Sequence, residues 1–131
     1  MKTTYRIRLA DTDAAGRIYF ASAQRIAHES FEHFMDVIGF DVPRMLNTLP
    51  FALPVVRVEA NYRVSLKLGD EITVETKVST VGKRSVTFFH TLITAKGVAA
   101  VEVVITHAVI SKKTGKSVAM PTVLRKALTV S

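Results

Sequence analysis

The stretch FASAQRIAHESFEHFMDVI, residues 20–38, decides the fold of this chain. Its apolar or small residues recur at three- and four-residue spacing and are Ala23, Ile26, Ala27, Ser30, Phe31, Phe34, Met35 and Ile38. The charged residues Arg25, Glu29 and Glu32 fall on the opposite side. A stripe of this width predicts one long helix that faces a core. Gly39 then supplies the end of the helix.

The sequence on either side of this helix predicts strands. Residues 3–10 alternate apolar and charged side chains, which is typical of a short half-buried strand. From Pro54 onward the chain is rich in Val, Ile, Thr and Phe, and glycine-containing turns divide it into segments. The predicted strands span residues 55–64, 72–81, 85–95, 98–111 and 118–130.

This order of elements predicts an α+β fold, in which an antiparallel sheet of about five to six strands wraps around one long central helix. The chain has 131 residues, of which 48% are hydrophobic and 22% charged, and this composition fits a single globular domain, residues 1–131. One helix cannot cover both faces of such a sheet, so we expect a homo-oligomer. The sequence leaves a dimer and a homotetramer open.

The composition excludes several kinds of chemistry. The chain has no cysteine, so it cannot form disulfides, use a thiol nucleophile or ligate zinc or iron–sulfur clusters through cysteine. Its first residues, MKTTYRIR, lack the apolar core of a signal peptide. No apolar run approaches the ~20 residues that span a bilayer. We therefore expect a cytoplasmic protein that does not bind to membranes.

The charge is distributed unevenly along the chain. The 18 basic and 11 acidic side chains give a net charge of +7. Residues 1–50 carry equal numbers of both, so the whole excess of positive charge lies in residues 51–131. Such an asymmetry indicates an anionic partner, which could be nucleic acid, a phosphate-bearing small molecule or an acidic protein. The alternative is a solvated face that keeps the protein in solution.

The segment ADTDAAGRIYF, residues 10–20, joins the first predicted strand to the helix. Two acids and a glycine in a loop are commonly turn residues. A carboxylate just before a helix start, however, lies near free backbone N–H groups and the positive end of the helix dipole, which stabilise negative charge. This layout favours attack on a carbonyl carbon. Serine-hydrolase and nucleotide-binding fingerprints are absent, and His28 and His33 lack the spacing of a metal site.

The motif DTDAAGRIYF, which begins at Asp11, resembles the Asp-x-Asp-x-x-Gly-x-(Val/Ile)-aromatic-aromatic signature of the 4-hydroxybenzoyl-CoA thioesterase family, of hotdog fold. The resemblance covers nearly the whole chain, including LPVVRV at 53–58, LGDE at 68–71, GKRS at 82–85 and MPTVLR at 120–125. It implies that Asp13 attacks a thioester carbonyl or acts as base to a water. It also implies that Gly16, Tyr19 and Phe20 position the substrate, and that a backbone N–H of Tyr19 or Phe20 polarises the carbonyl. Asp11 would instead tie down the loop.

The helix departs from the family at one position, because many members carry an acid where this chain has His28. The run HESFE, residues 28–32, is similar to the 1,4-dihydroxy-2-naphthoyl-CoA thioesterases of phylloquinone and menaquinone synthesis. His28 sits beside Gln24 at the edge of the apolar stripe, where the pair could hydrogen-bond an aromatic hydroxyl of the acyl group. The alternative is that His28 packs on a neighbouring subunit.

Coenzyme A carries a 3′-phosphate and a pyrophosphate, and both would bind basic side chains of the second half of the chain. The resemblance favours Arg84 and Ser85 as CoA-binding residues, with Arg125 as a further candidate. His90 and His107 alternate in phase with apolar strand residues, so we predict them to be core or interface histidines whose polar atoms are hydrogen-bonded.

Together these inferences predict a thioesterase that hydrolyses an acyl-CoA to a free acid and CoA without a metal or organic cofactor. The resemblance favours an aromatic acyl group such as 1,4-dihydroxy-2-naphthoyl, held in a pocket beside Asp13 that forms across a subunit boundary. One alternative is an acyl-carrier-protein thioesterase of the same fold, whose basic surface docks an acidic carrier. Another is a non-enzymatic module that binds acyl-CoA or nucleic acid. Against nucleic acid, the strands lack interleaved basic and aromatic residues and the chain has no tryptophan.

Overall fold

The computed structural model describes residues 1–130 and contains one long helix, two shorter helices and seven strands in that range. In chain order the elements are β1 (Lys2–Arg6), α1 (Phe20–Val37), α2 (Val42–Asn47), β2 (Phe51–Ala52), β3 (Val55–Tyr62), β4 (Glu71–Val81), β5 (Ser85–Thr94), β6 (Ala99–Ala108), β7 (Ile110–Ser111) and α3 (Thr122–Thr129). A single 3₁₀ turn, Leu9–Asp11, follows β1.

Five strands form one antiparallel sheet in the order β1-β4-β5-β6-β3, while β2 and β7 pair separately. The tight turns between β4, β5 and β6 make these strands sequential neighbours. Strand β3 pairs with β6 along one edge only, so its other edge is free in the described chain. The structure thus confirms the predicted α+β fold, with a five-stranded antiparallel sheet and one long helix.

Helix α1 lies against one face of the sheet and buries the predicted stripe. Its first half packs in a core cluster with sheet residues that include Val74, Leu92 and Val103. Its second half packs in another cluster, where the ring of Phe31 meets that of Phe88 edge-on at a centroid distance of 5.1 Å. No helix within residues 1–130 is long and apolar enough to cross a membrane.

The predicted strand at residues 118–130 is wrong, because most of this segment forms helix α3. Leu124 and Leu128 are one helical turn apart and both are fully buried in the second core cluster, whereas Val123 is exposed. Pro121 stands immediately before the helix, where its missing N–H costs nothing. The many valines and threonines of this segment favoured a strand, and the helical spacing repeats only once.

Candidate active site

The loop that carries Asp13 is a compact turn closed by its own hydrogen bonds. Asp13 Oδ1 accepts hydrogen bonds from the N–H groups of Ala15 at 2.8 Å and Arg17 at 3.2 Å, and the N–H of Asp13 donates to the carbonyl of Arg17 at 2.8 Å. Gly16 has φ 73°, a conformation that L side chains rarely adopt. These bonds leave Asp13 Oδ2 without a partner in residues 1–130, on an exposed side chain. The carboxylate is therefore oriented through one oxygen and free to react through the other.

Helix α1 begins directly after this loop, and its first turn has two unused donors. The N–H of Tyr19 donates to the carbonyl oxygen of Asp11 at 2.8 Å, and that of Ser22 returns to Tyr19 at 2.9 Å. No hydrogen bond within residues 1–130 uses the N–H of Phe20 or Ala21, as expected for the first turn of a helix. The prediction of a polarising N–H on Tyr19 or Phe20 thus narrows to Phe20, because the N–H of Tyr19 is occupied.

Two further contacts fix the position of this helix start. The hydroxyl of Tyr62, at the end of β3, donates to the carbonyl oxygen of Phe20. The N–H of Ile18 donates to the carbonyl of Leu66 at 2.8 Å, which anchors the end of the loop to the segment before β4. The loop and the helix start are therefore tied to the end of β3 and to the segment between β3 and β4.

Gln24 and His28 are half-buried on α1, as the helical spacing predicts. The His28 ring lies 5.4 Å from that of Phe31, and its Nδ1 is 3.6 Å from a carboxylate oxygen of Glu32. His28 also lines a mainly apolar cavity of about 290 Å³ between α1, α2 and the segment before β3. The other lining residues are Phe31, Glu32, Val42, Met45, Leu46, Ala52, Leu53, Pro54 and Lys112.

The two strand histidines are core residues, as predicted, since neither has any exposed surface. The prediction that their polar atoms are hydrogen-bonded is wrong for Nε2, which has no partner within residues 1–130 in either ring. The Nδ1 of His107 donates to the carbonyl of Leu53 at 3.0 Å, because a carbonyl oxygen can only accept. The Nδ1 of His90 lies 2.8 Å from the hydroxyl of Thr76, which in turn lies 2.6 Å from that of Ser30. Burial lowers the pKa of each imidazole from 6.5 to about 4, so both are neutral near pH 7.

The predicted CoA-binding residues Arg84, Ser85 and Arg125 meet at the turn between β4 and β5. A guanidinium nitrogen of Arg125 donates to the carbonyl of Gly82 at 2.8 Å, which docks α3 on this turn. A Cβ at Gly82 would stand 2.8 Å from the hydroxyl oxygen of Ser85, so the Ser85 side chain would have to rotate to make room for one. The Arg84 side chain is exposed and has no ion-pair partner in residues 1–130.

A single chain does not bring Asp13 and the β4–β5 turn together. The Asp13 loop contacts the segment before β4, where the N–H of Leu68 donates to the carbonyl of Gly16 at 3.0 Å, whereas Gly82 follows the end of β4. At about 3.3 Å per residue, that 11-residue strand extends over roughly 30 Å. Nor does Asp13 line the cavity at His28 or any of three further pockets formed by residues 1–130. None of these four pockets is therefore the expected cavity beside Asp13.

The polar groups near Asp13 suit carbonyl chemistry better than metal binding. No group of three or more His, Asp or Glu side chains in residues 1–130 is arranged to hold a metal ion. A free carboxylate oxygen in the loop that precedes an unused helix amide can supply a nucleophile or base, and the amide an oxyanion donor.

Comparison with known proteins gives a consistent picture. Residues 7–128 match the family model of the thioesterase-like superfamily. The chain is 38% identical over 71 residues to a 1,4-dihydroxy-2-naphthoyl-CoA hydrolase of Rippkaea orientalis, an alignment that covers 54% of this chain and 51% of that protein. The chain thus spans about half the length of the curated relatives it matches.

Solved structures resemble this one over almost its whole length. A 1,4-dihydroxy-2-naphthoyl-CoA thioesterase from Synechocystis superposes with a TM-score of 0.90 and 20% identity, covering 98% of this chain and 94% of that one. A Staphylococcus aureus protein solved in complex with CoA gives a TM-score of 0.91 and 20% identity, over 98% and 81% of the two chains. At such identities the likeness shows the fold, a hotdog fold.

Proposed function

Because this chain belongs to the thioesterase-like superfamily and has the hotdog fold, we propose that it hydrolyses aromatic acyl-CoA thioesters to the free acid and CoA. The hydrolase of Rippkaea orientalis supports 1,4-dihydroxy-2-naphthoyl as the acyl group. The observation that carries the proposal is that Asp13, whose Oδ2 is free, stands in the loop that leads directly into α1, where the N–H of Phe20 is unused.

In the proposed reaction the thioester carbonyl oxygen accepts the N–H of Phe20, and the positive end of the helix dipole stabilises the charge that builds on that oxygen. Asp13 then acts in one of two ways. In the first, its carboxylate attacks the carbonyl carbon and expels CoA thiolate, and water hydrolyses the mixed anhydride that remains. In the second, the carboxylate takes a proton from a water molecule that attacks the carbonyl carbon directly. Thiolate is a good leaving group, so either route needs little beyond a placed nucleophile and an oxyanion donor.

The acyl group would lie against Gln24 and His28, with His28 hydrogen-bonding a ring hydroxyl. The support is the cavity of about 290 Å³ at His28, whose walls are mostly apolar apart from His28, Glu32 and Lys112. The CoA phosphates would bind the exposed Arg84 and the half-buried Ser85. Arg125 would hold the turn in place and add positive charge.

A homo-oligomer explains how these parts act together. The free edge of β3 carries exposed Val56 and Val58, and Tyr62 at its end is 44% exposed. If β3 pairs antiparallel with its copy across a twofold axis, the start of one β3 meets the end of the other. The start lies beside His107 and the cavity at His28, and the end lies beside Phe20 and the Asp13 loop. Each active site would then combine the cavity of one chain with the Asp13 of its partner. A dimer suffices for this, and a homotetramer would pair two such dimers.

A hydrolysis screen tests the proposal, with aromatic, short aliphatic and long-chain CoA esters and released thiol as the readout. Acyl-carrier-protein thioesters with the same acyl groups form a second arm of the screen. An acidic carrier protein would also bind the positively charged side chains of the β4–β5 turn, so the two kinds of substrate must be compared. Preferential turnover of hydroxylated aromatic CoA esters supports the proposal, and no turnover of any CoA ester removes it. A cytoplasmic location stays a prediction from the sequence.

A further inference from the structure

Asp11 is a fully buried carboxylate at the base of the Asp13 loop. Its Oδ2 accepts hydrogen bonds from the hydroxyl of Tyr5 and from the N–H of Arg8, both at 2.8 Å. Its Oδ1 is paired with the guanidinium of Arg25. A carboxylate removed from water is tolerated only when it is paired and hydrogen-bonded, so Asp11 depends on these three partners.

Arg25 joins this carboxylate to the second turn of α1. Besides Asp11, its guanidinium contacts a carboxylate oxygen of Glu29 at 2.6 Å and the hydroxyl of Tyr5 at 3.3 Å. A planar guanidinium can make all these contacts at once because its five donors point in fixed directions. Arg25 thus binds the loop, the first strand and the helix to one another.

The main chain of Asp11 makes a second link to the same helix. Its carbonyl oxygen accepts the N–H of Tyr19, which occupies that donor and makes Phe20 the first free amide of α1. Asp13 follows Asp11 by only two residues, so the position of Asp11 determines where the Asp13 carboxylate stands relative to the helix start. The side chain of Arg25 holds Asp11 from the helix side.

We propose that Arg25 is a positioning residue, which through Asp11 sets the distance between the Asp13 carboxylate and the N–H of Phe20. This inference rests on the proposed function, because it assigns Arg25 a part in the same reaction. Arg25 acts without touching the reacting atoms. When it is removed, a buried oxygen of Asp11 loses its donor and the loop must move to hydrate it. A misplacement of about 1 Å is enough to lower a catalytic rate a hundredfold.

Arg25 is 41% exposed, so its guanidinium could instead bind a phosphate of the substrate. The two roles give different kinetics. A substrate contact raises KM with little change in kcat when it is lost, whereas misplacement of a reacting group lowers kcat at nearly constant KM.

The test uses Arg25→Ala and Arg25→Lys in the full chain, with Arg6→Ala as the matched control. Arg6 lies next to Tyr5 on β1 and forms only an exposed pair with Glu71, at 3.6 Å. Steady-state kinetics are measured on the best substrate of the screen, and circular dichroism at the assay temperature gives the folded fraction. A second measurement adds guanidinium ion at a concentration well below that which unfolds proteins.

For Arg25→Ala we expect kcat to fall between about tenfold and a hundredfold at a KM within about twofold of the parent value. Added guanidinium should restore part of kcat in Arg25→Ala and leave Arg6→Ala unchanged. Arg25→Lys should keep more activity than Arg25→Ala, because an ammonium still pairs with Asp11.

Three results overturn the inference. They are a kcat that is unchanged in both variants, a KM that rises at constant kcat, and a loss of kcat that only follows the folded fraction and is not rescued by guanidinium.

If Arg25→Ala does not fold, Tyr5→Phe replaces it. This variant removes one hydrogen-bond donor to Asp11 and should also lower kcat. The inference about Arg25 fails alone if the parent enzyme is active and Asp13→Asn is inactive, while both Arg25 variants keep the parent kcat. A parent protein with no thioesterase activity overturns both.

Discussion

The imidazole of His107 is stacked on the ring of Phe31, with centroids 4.0 Å apart and planes 16° from parallel. This contact seals the histidine beneath α1, and burial, together with its neighbours, keeps the imidazole neutral. The core beneath the long helix therefore contains a titratable side chain of β6, which a purely apolar core would not have.

This burial predicts acid sensitivity. The pKa of His107 is lowered by burial from 6.5 to about 4, and that of His90 likewise, so the unfolded chain binds more protons than the folded one between these values. The free energy of unfolding should therefore be highest above pH 6.5 and fall as the pH drops to about 4.

Urea unfolding at a series of pH values checks this expectation. The variant His107→Phe keeps the stacking and removes the titration, so its stability should depend less on pH than that of the parent between pH 6.5 and about 5, where most carboxylates are still ionised. An equal pH dependence in both proteins would show that His107 is not held neutral.

His28 should determine selectivity for hydroxylated rings. Replacing it by phenylalanine keeps a flat ring in the cavity and removes the hydrogen bond to a substrate hydroxyl. We expect His28→Phe to lower kcat/KM by about tenfold or more for a hydroxylated aromatic CoA ester, and far less for the same ester without the hydroxyl. Paired assays of the two esters measure the ratio. Equal losses on both esters would mean that His28 has another role, such as packing on a neighbouring subunit.

Arg84 should act on the CoA end of the substrate. Its guanidinium is exposed and unpaired among residues 1–130, so Arg84→Ala should raise KM for CoA esters by about tenfold while kcat changes little. Lys113→Ala, an exposed residue of the hairpin after β7, removes the same charge outside the β4–β5 turn and is the control. High salt should reduce the difference between parent and variant. An unchanged KM for Arg84→Ala would refute its phosphate role.

The parts of this molecule that the sequence predicted depend on neighbours in the chain. Helix α1 was predictable because its apolar stripe recurs on every turn. Asp13 could be placed near the helix start because only six residues lie between it and Phe20. The pairing of Asp11 with Arg25 could not be found, because it joins residues 14 apart through a tertiary contact. The separation of Asp13 from Arg84 also escaped the sequence, since it follows from the direction of β4 in the folded sheet.

The proposed reaction depends most on the carboxylate of Asp13, and replacement of this side chain by its isosteric amide tests that dependence directly. Asp13→Asn keeps the side-chain oxygen that accepts from Ala15 and Arg17, so the loop should stay intact while the free oxygen loses its negative charge. Asp36→Asn, an exposed carboxylate at the other end of α1, is the control.

The decisive measurement is kcat for release of CoA thiol from the preferred aromatic ester, with the fold of each variant checked by circular dichroism. We predict that kcat of Asp13→Asn falls by at least about a hundredfold and that Asp36→Asn keeps the parent value. Turnover by Asp13→Asn close to that of the parent would contradict the account and remove Asp13 from the mechanism.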